Sequence, residues 1–143
     1  MQKKYLAALA VAFLSASMYM PEMVSAQTSA SHVALTAEDI RGLIVKNLGA
    51  QDNTVAVSVT GGIFDVLRIN SYMNEATHPE FNKDASAVAS VVSKAIADTA
   101  KYKRIHTIRV RYVTRSGPSA KDKVIDSVEF RKGGNGVFEI HST

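Results

Sequence analysis

The sequence predicts an α+β domain: two helices packed on one face of a mostly antiparallel sheet of about five strands. Its element order is α-β-β-α-β-β-β. Three patterns carry that expectation. Val88, Val91, Val92, Ala95, Ile96 and Thr99 recur at helical spacing, opposite Ser86, Ser90, Ser93, Lys94 and Asp98. Val55 to Thr60 (VAVSVT) alternates with period two and is rich in β-branched residues. Ile108, Val110 and Tyr112 alternate with Arg109, Arg111 and Val113.

Taken from the start, the chain opens with three regions that together read as a signal peptide. Lys3 and Lys4 are positive, Tyr5 to Met18 is apolar and uncharged, and Val24-Ser25-Ala26 offers small residues at a cleavage point. The apolar run is shorter than the roughly 20 residues that span a bilayer. The expectation is therefore residues 1–26 as a cleaved leader, 27–35 as a flexible stretch, and 36–143 as one domain. Such a chain would be periplasmic or secreted, and the bacterial periplasm suits it best because it has no cysteine. The absence of cysteine also excludes thiol catalysis, thiolate metal sites and disulfide exchange. Losing Lys3, Lys4 and Glu22 lowers the formal charge of +4 by one. That mild excess is far below the charge density of a dedicated nucleic-acid binder.

Thr36 begins the first helix, with Asp39 three residues on as an acidic variant of the capping box. Ile40, Leu43, Ile44 and Leu48 share one face, and Gly49 ends it. After the strand at 55–60, Gly61-Gly62 turns the chain into Ile63 to Ile69. A two-residue hairpin sets Val59 against Phe64 and Val57 against Val66. Ile63, Leu67 and Ile69 are apolar on the opposite face, so this strand is either covered on both sides or bent by a bulge. Asn70 to Asn82 is polar and aperiodic, and Pro79 is expected to interrupt any regular element there. Asn82 or Asp84 then caps the second helix, which Lys101, Lys103 and Arg104 close.

Two hairpins complete the domain, with strands at 124–131 and 137–141 and loops at 116–122 and 132–136. Symmetric pairing places Ile108 beside Phe130 and Phe138, Val110 beside Val128 and Ile140, and Tyr112 beside Asp126 and Ser142. The other face then carries Arg109 with Glu129 and Glu139, and Arg111 with Ser127 and His141. The basic stretch 101–115 thus reads as a solvated sheet face and a helix end. The alternative is a polyanion or anionic-lipid site formed by Arg109, Arg111, Arg115 and Arg131. It lacks the aromatic platforms of single-strand binders.

Few groups suggest chemistry. No HExxH, Gly-x-Ser-x-Gly or phosphate-binding glycine loop occurs, and His32, His78, His106 and His141 lack metal-ligand spacing. No cofactor or metal is expected. The acid–base candidates are Asp126 with Tyr112 on the inner face, and His78 in the long loop. Asn70, Ser71, Asn74 and Glu75 gather polar groups in that loop and are the binding candidates, with Arg109 and Arg111 on the sheet. The order helix–strand–strand–helix–strand over residues 36–114 resembles the BON domain of bacterial envelope proteins, and the C-terminal hairpin departs from it. That resemblance implies envelope or lipid association. The leading expectation is a non-catalytic binding module of the bacterial cell envelope, whose partner is an envelope protein or surface ligand. A small hydrolase or isomerase using Asp126 or His78 is the alternative.

Overall fold

The structure is a computed structural model and describes residues 34–71 and 77–141. The expected leader, the flexible stretch as far as Val33 (with His32), and Asn74, Glu75 and Ser142 lie outside the described residues. The elements are α1 (Ala37–Leu48), β1 (Val55–Thr60), β2 (Ile63–Ile69), α2 (His78–Ala97), β3 (Thr107–Thr114), β4 (Lys123–Lys132) and β5 (Phe138–His141). The strands form one sheet in the order β1-β2-β3-β4-β5. Three neighbouring pairs are antiparallel and β2–β3 is parallel. A parallel pair needs a long crossover, and α2 supplies it.

Thr36 and Asp39 exchange the expected bonds at the start of α1: the Asp39 amide donates to the Thr36 hydroxyl, and Asp39 Oδ2 accepts the Thr36 amide. Gly49 ends the helix in the left-handed conformation. The β1–β2 turn has Gly61 at φ 58° and Gly62 at φ 84°, as a type I′ hairpin requires. Its register is the expected one, with Val59 opposite Phe64 and Val57 opposite Val66. No bulge interrupts β2. On the face away from the helices Ile63 and Leu67 are half-covered, and only Ile69 at its end is buried.

Three expectations need correction. Pro79 does not interrupt an element: α2 begins one residue before it, capped by Thr77 and Glu80, whose side chains form a capping box. Proline in the first helical turn loses no hydrogen bond, because that amide has no intrahelical partner. Neither Asn82 nor Asp84 is the cap. At the other end α2 stops at Ala97, so Lys101 lies in a short 3-10 turn (Ala100–Tyr102) and Lys103 and Arg104 follow that turn.

The third correction concerns register. Ile108–Phe130, Val110–Val128 and Tyr112–Asp126 pair as expected. The last hairpin is displaced by two residues, with Phe130 opposite Ile140 and Glu129 opposite His141. Gly133 closes on Val137 through a 2.8 Å backbone bond, and Gly136 takes φ 80°. A three-residue turn of this kind, ending in a left-handed glycine, moves the pairing outward relative to the symmetric expectation. A shift of two keeps every side chain on its face.

Both helices cover one face of the sheet. Ile40 and Ile44 of α1 and Phe81, Ala85, Val88, Ala89, Val92 and Ile96 of α2 meet Phe64, Val66, Ile108, Val110, Val128 and Phe130. As expected, α2 provides the larger helical share. The opposite face carries Asp65, Arg109, Arg111, Ser127 and Glu129.

Candidate functional site

Strand parity in β2 places Phe64, Val66 and Arg68 on the helix-covered face. Arg68 is 1% exposed. Its Nε and Nη2 reach the two carboxylate oxygens of Asp84 on α2 at 3.2 and 3.3 Å. The Tyr112 hydroxyl, from β3, donates to Asp84 Oδ2 at 2.6 Å and lies 3.2 Å from the Phe81 carbonyl. A fork-to-fork Arg–carboxylate pair neutralises two buried charges, and the phenol saturates one of the remaining lone pairs. Asp84 is thus the carboxylate that meets Tyr112, although Asp126 is its cross-strand neighbour. Asp126 Oδ1 accepts the Ser127 amide.

This arrangement bears on the acid–base candidates. Burial pushes the Tyr112 phenol far above its ordinary range, and the hydrogen bond to Asp84 pushes it further. Tyr112 is thus held in its protonated form, donating to Asp84. His78 is the first residue of α2, more than a helical turn ahead of Asp84.

Among the loop candidates, Asn70 has a structural task. It sits at φ 44°, its side-chain amide donates to the Arg115 carbonyl, and its oxygen accepts the Arg115 amide, both at 2.7 Å. That pair ties the end of β2 to the end of β3. Ser71 is buried, and its hydroxyl and Arg68 Nη1 are buried polar atoms without a hydrogen-bond partner among the described residues. Both residues line a cleft of about 260 Å³ with Gly49, Ala50, Gln51, Thr54 and Asn70. An unpaired buried donor costs about 1–3 kcal/mol, which a water or ligand oxygen in that cleft would offset.

The arginines of the open face are paired with carboxylates. Arg109 Nε lies 2.7 Å from Glu129 Oε1, as the β3–β4 register implies. Arg111 pairs with Asp65 through both Nε and Nη2. That partner escaped the sequence because it depends on β2 and β3 being parallel neighbours. Arg115 grips Asp122 with two bonds at 2.6 and 2.8 Å, which holds the Asp122 carboxyl below its usual range. Arg131 approaches Glu129 at 3.8 Å. Changing Arg109 and Arg111 together to Gln is expected to cost about 1 kcal/mol or less, since half-exposed pairs contribute little. Retention on heparin and on anionic liposomes should stay unchanged in that variant. A sharp fall, with steep salt dependence in the parent chain, would show a polyanion site there.

Among the described residues no three His, Asp or Glu side chains converge to hold a metal ion. His106 is level with Lys132 and His141 with Glu129, so they stand about 10 Å apart along β4.

A different feature lies at the β5 edge. The helices bury Val128 and Phe130 of β4 but leave Ile140 of β5 exposed, and a groove of about 340 Å³ runs between the last hairpin and the C-terminal half of α2. Ile96, Ala97, Tyr102, Val137 and Phe138 form its apolar lining, and Lys94, Lys103 and Lys132 are its charged residues. A second concavity shares Ser93 and Phe138 and continues it past Ser86, Ala89 and Ser90 to Phe130 and Ile140. Val137 and Ile140 are 54% and 45% exposed.

The chain matches no family model, no curated protein and no solved structure. The geometry must therefore carry the functional argument alone. Sequence reasoning missed both the Arg68–Asp84–Tyr112 cluster and the groove. The first had a signal: Arg68 shares the parity of Phe64 and Val66, and Asp84 lies one turn before Val88 on the apolar stripe. The groove had none, because it depends on where α2 crosses the sheet.

Proposed function

We propose that this chain is an exported, non-catalytic interaction module of the bacterial cell envelope. The observation that supports it is the apolar groove beside β5. Val137 and Ile140 stay exposed beside it, next to the edge of the sheet. A recessed apolar strip next to a free strand edge suits a protein partner better than it suits chemistry, which needs converging reactive groups. The buried polar cluster supports the same reading. Arg68 and Tyr112 both bond to Asp84 and so brace the sheet against α2.

Export rests on Lys3, Lys4, the apolar run and the small residues up to Ala26. Among the described residues no helix is long and apolar enough to cross a membrane. The mass of the protein recovered from the periplasm or medium is expected to match a chain beginning at Gln27. A retained Met1 would overturn export. The interaction role predicts that a photo-crosslinking residue at Val137 captures an envelope protein in living cells. The same residue at Ser58, exposed on the opposite face, should capture none. Equal capture at both positions, or none at either, would refute the role in binding an envelope protein.

A further inference from the structure

The groove's shape and charge identify what kind of segment it takes, if the interaction role proposed above holds. Lys94, Lys103 and Lys132 line it and no acidic side chain does. None of the three makes an ion pair among the described residues, whereas Arg109, Arg111, Arg115 and Arg131 all have carboxylate partners. The groove thus carries three unpaired ammonium groups, whereas the arginines of the open sheet face are matched by carboxylates. Lys132 Nζ lies 5.9 Å over the Phe138 ring, holding one ammonium above the apolar floor.

Among the described residues, nothing pairs with the outer edge of the strand beside the groove. Residues of an antiparallel pair alternate between hydrogen-bonded and non-bonded positions. Gly133 bonds to Val137, so Glu139 and His141 direct their backbone groups at β4. Phe138 and Ile140 then direct their amides and carbonyls outward, and their side chains line the concavities on the helix side. A strand laid along that edge would send alternate side chains into the groove.

We propose that β5 accepts an extended, acidic segment of a partner protein as an added strand. Apolar side chains of that segment would rest on Phe138, Ile140 and Val137, and its carboxylates would meet Lys94, Lys103 and Lys132. A second copy of this chain fits poorly, because two-fold pairing of β5 brings like lysine clusters together. An anionic membrane fits less well than a peptide. The apolar floor is recessed behind Lys132 and the serine face of α2, and lipid chains offer no partners to the Phe138 and Ile140 backbone groups.

Fluorescence polarisation with a labelled octapeptide alternating Glu and Val tests this on the exported chain. Saturable binding is expected, weakened by added salt and at least tenfold weaker in Lys94→Gln/Lys103→Gln/Lys132→Gln. These lysines are exposed, so the variant should keep its circular dichroism and thermal midpoint. The same peptide N-methylated at alternate residues should lose binding, as strand addition demands. Equal affinity for a Lys–Val octapeptide, indifference to N-methylation, or binding only to phosphatidylglycerol vesicles would each overturn the proposal. Crosslinking from Val137 that survives in cells while the acidic peptide fails to bind would retain the interaction module and refute the acidic strand. Peptide binding without any adduct in cells would uphold the strand site and count against the envelope role alone.

Discussion

Replacing Asp84 by Ala is expected to destabilise the domain by about 3–5 kcal/mol, measured by denaturant unfolding. The substitution strands the Arg68 guanidinium, which is 1% exposed and pairs with no other carboxylate among the described residues. It also removes the oxygen that the Tyr112 hydroxyl donates to at 2.6 Å. Small domains have a total stability of about 5–15 kcal/mol, so the change would consume much of it. The paired variant Arg68→Met with Asp84→Leu separates the cause. Exchanging both charges for apolar side chains avoids the stranded ion and should recover most of the loss. A single Asp84→Ala variant that loses under 1 kcal/mol would show that the pair does not brace α2 on the sheet.

The second large effect concerns the core stripe of α2. Val92 is completely buried among the residues joining that helix to the sheet. Val92→Asp would place a carboxylate there with no donor, at a cost on the order of 5 kcal/mol. The far-ultraviolet signal should fall and cooperative thermal unfolding should disappear at ordinary temperatures. Ser90→Asp is the control. Ser90 is exposed two residues away on the same helix, and its replacement should stay within about 1 kcal/mol. An unchanged midpoint for Val92→Asp would mean that the stripe is not core.

Local patterns were enough wherever one residue's neighbours in sequence are also its neighbours in space. The capping box at Thr36–Asp39, the Gly61-Gly62 turn and the β3–β4 register all follow from short-range rules. The start of α2 was hidden by Pro79, which breaks a helix interior but suits a first turn. Thr77 and Glu80 carried the correct signal three residues apart, with the proline between them. The β5 displacement arose from a choice of turn: GGNG permits several, and a backbone bond from Gly133 to Val137 selects one.

The candidate site was legible only in pieces. Tyr112 was placed on the inner face opposite Asp126, which the structure bears out, but its acceptor comes from α2. Asn70 was marked as a polar loop residue, and its side chain proves to pair with the backbone of Arg115, 45 residues away.

By itself the sequence determined the α+β class, the identity of each element, and which face of each strand looks inward. These depend on side-chain periodicity and turn chemistry, which act over a few residues. Tertiary structure alone decided that β2 and β3 run parallel, that Arg111 therefore meets Asp65, and that Arg68 meets Asp84 beneath α2. It also decided how α2 crosses the sheet and so leaves a lysine-lined apolar groove beside β5. Ion pairs and grooves form between segments far apart in the chain. Their partners are set by strand order and helix placement, which are free-energy choices of the whole fold.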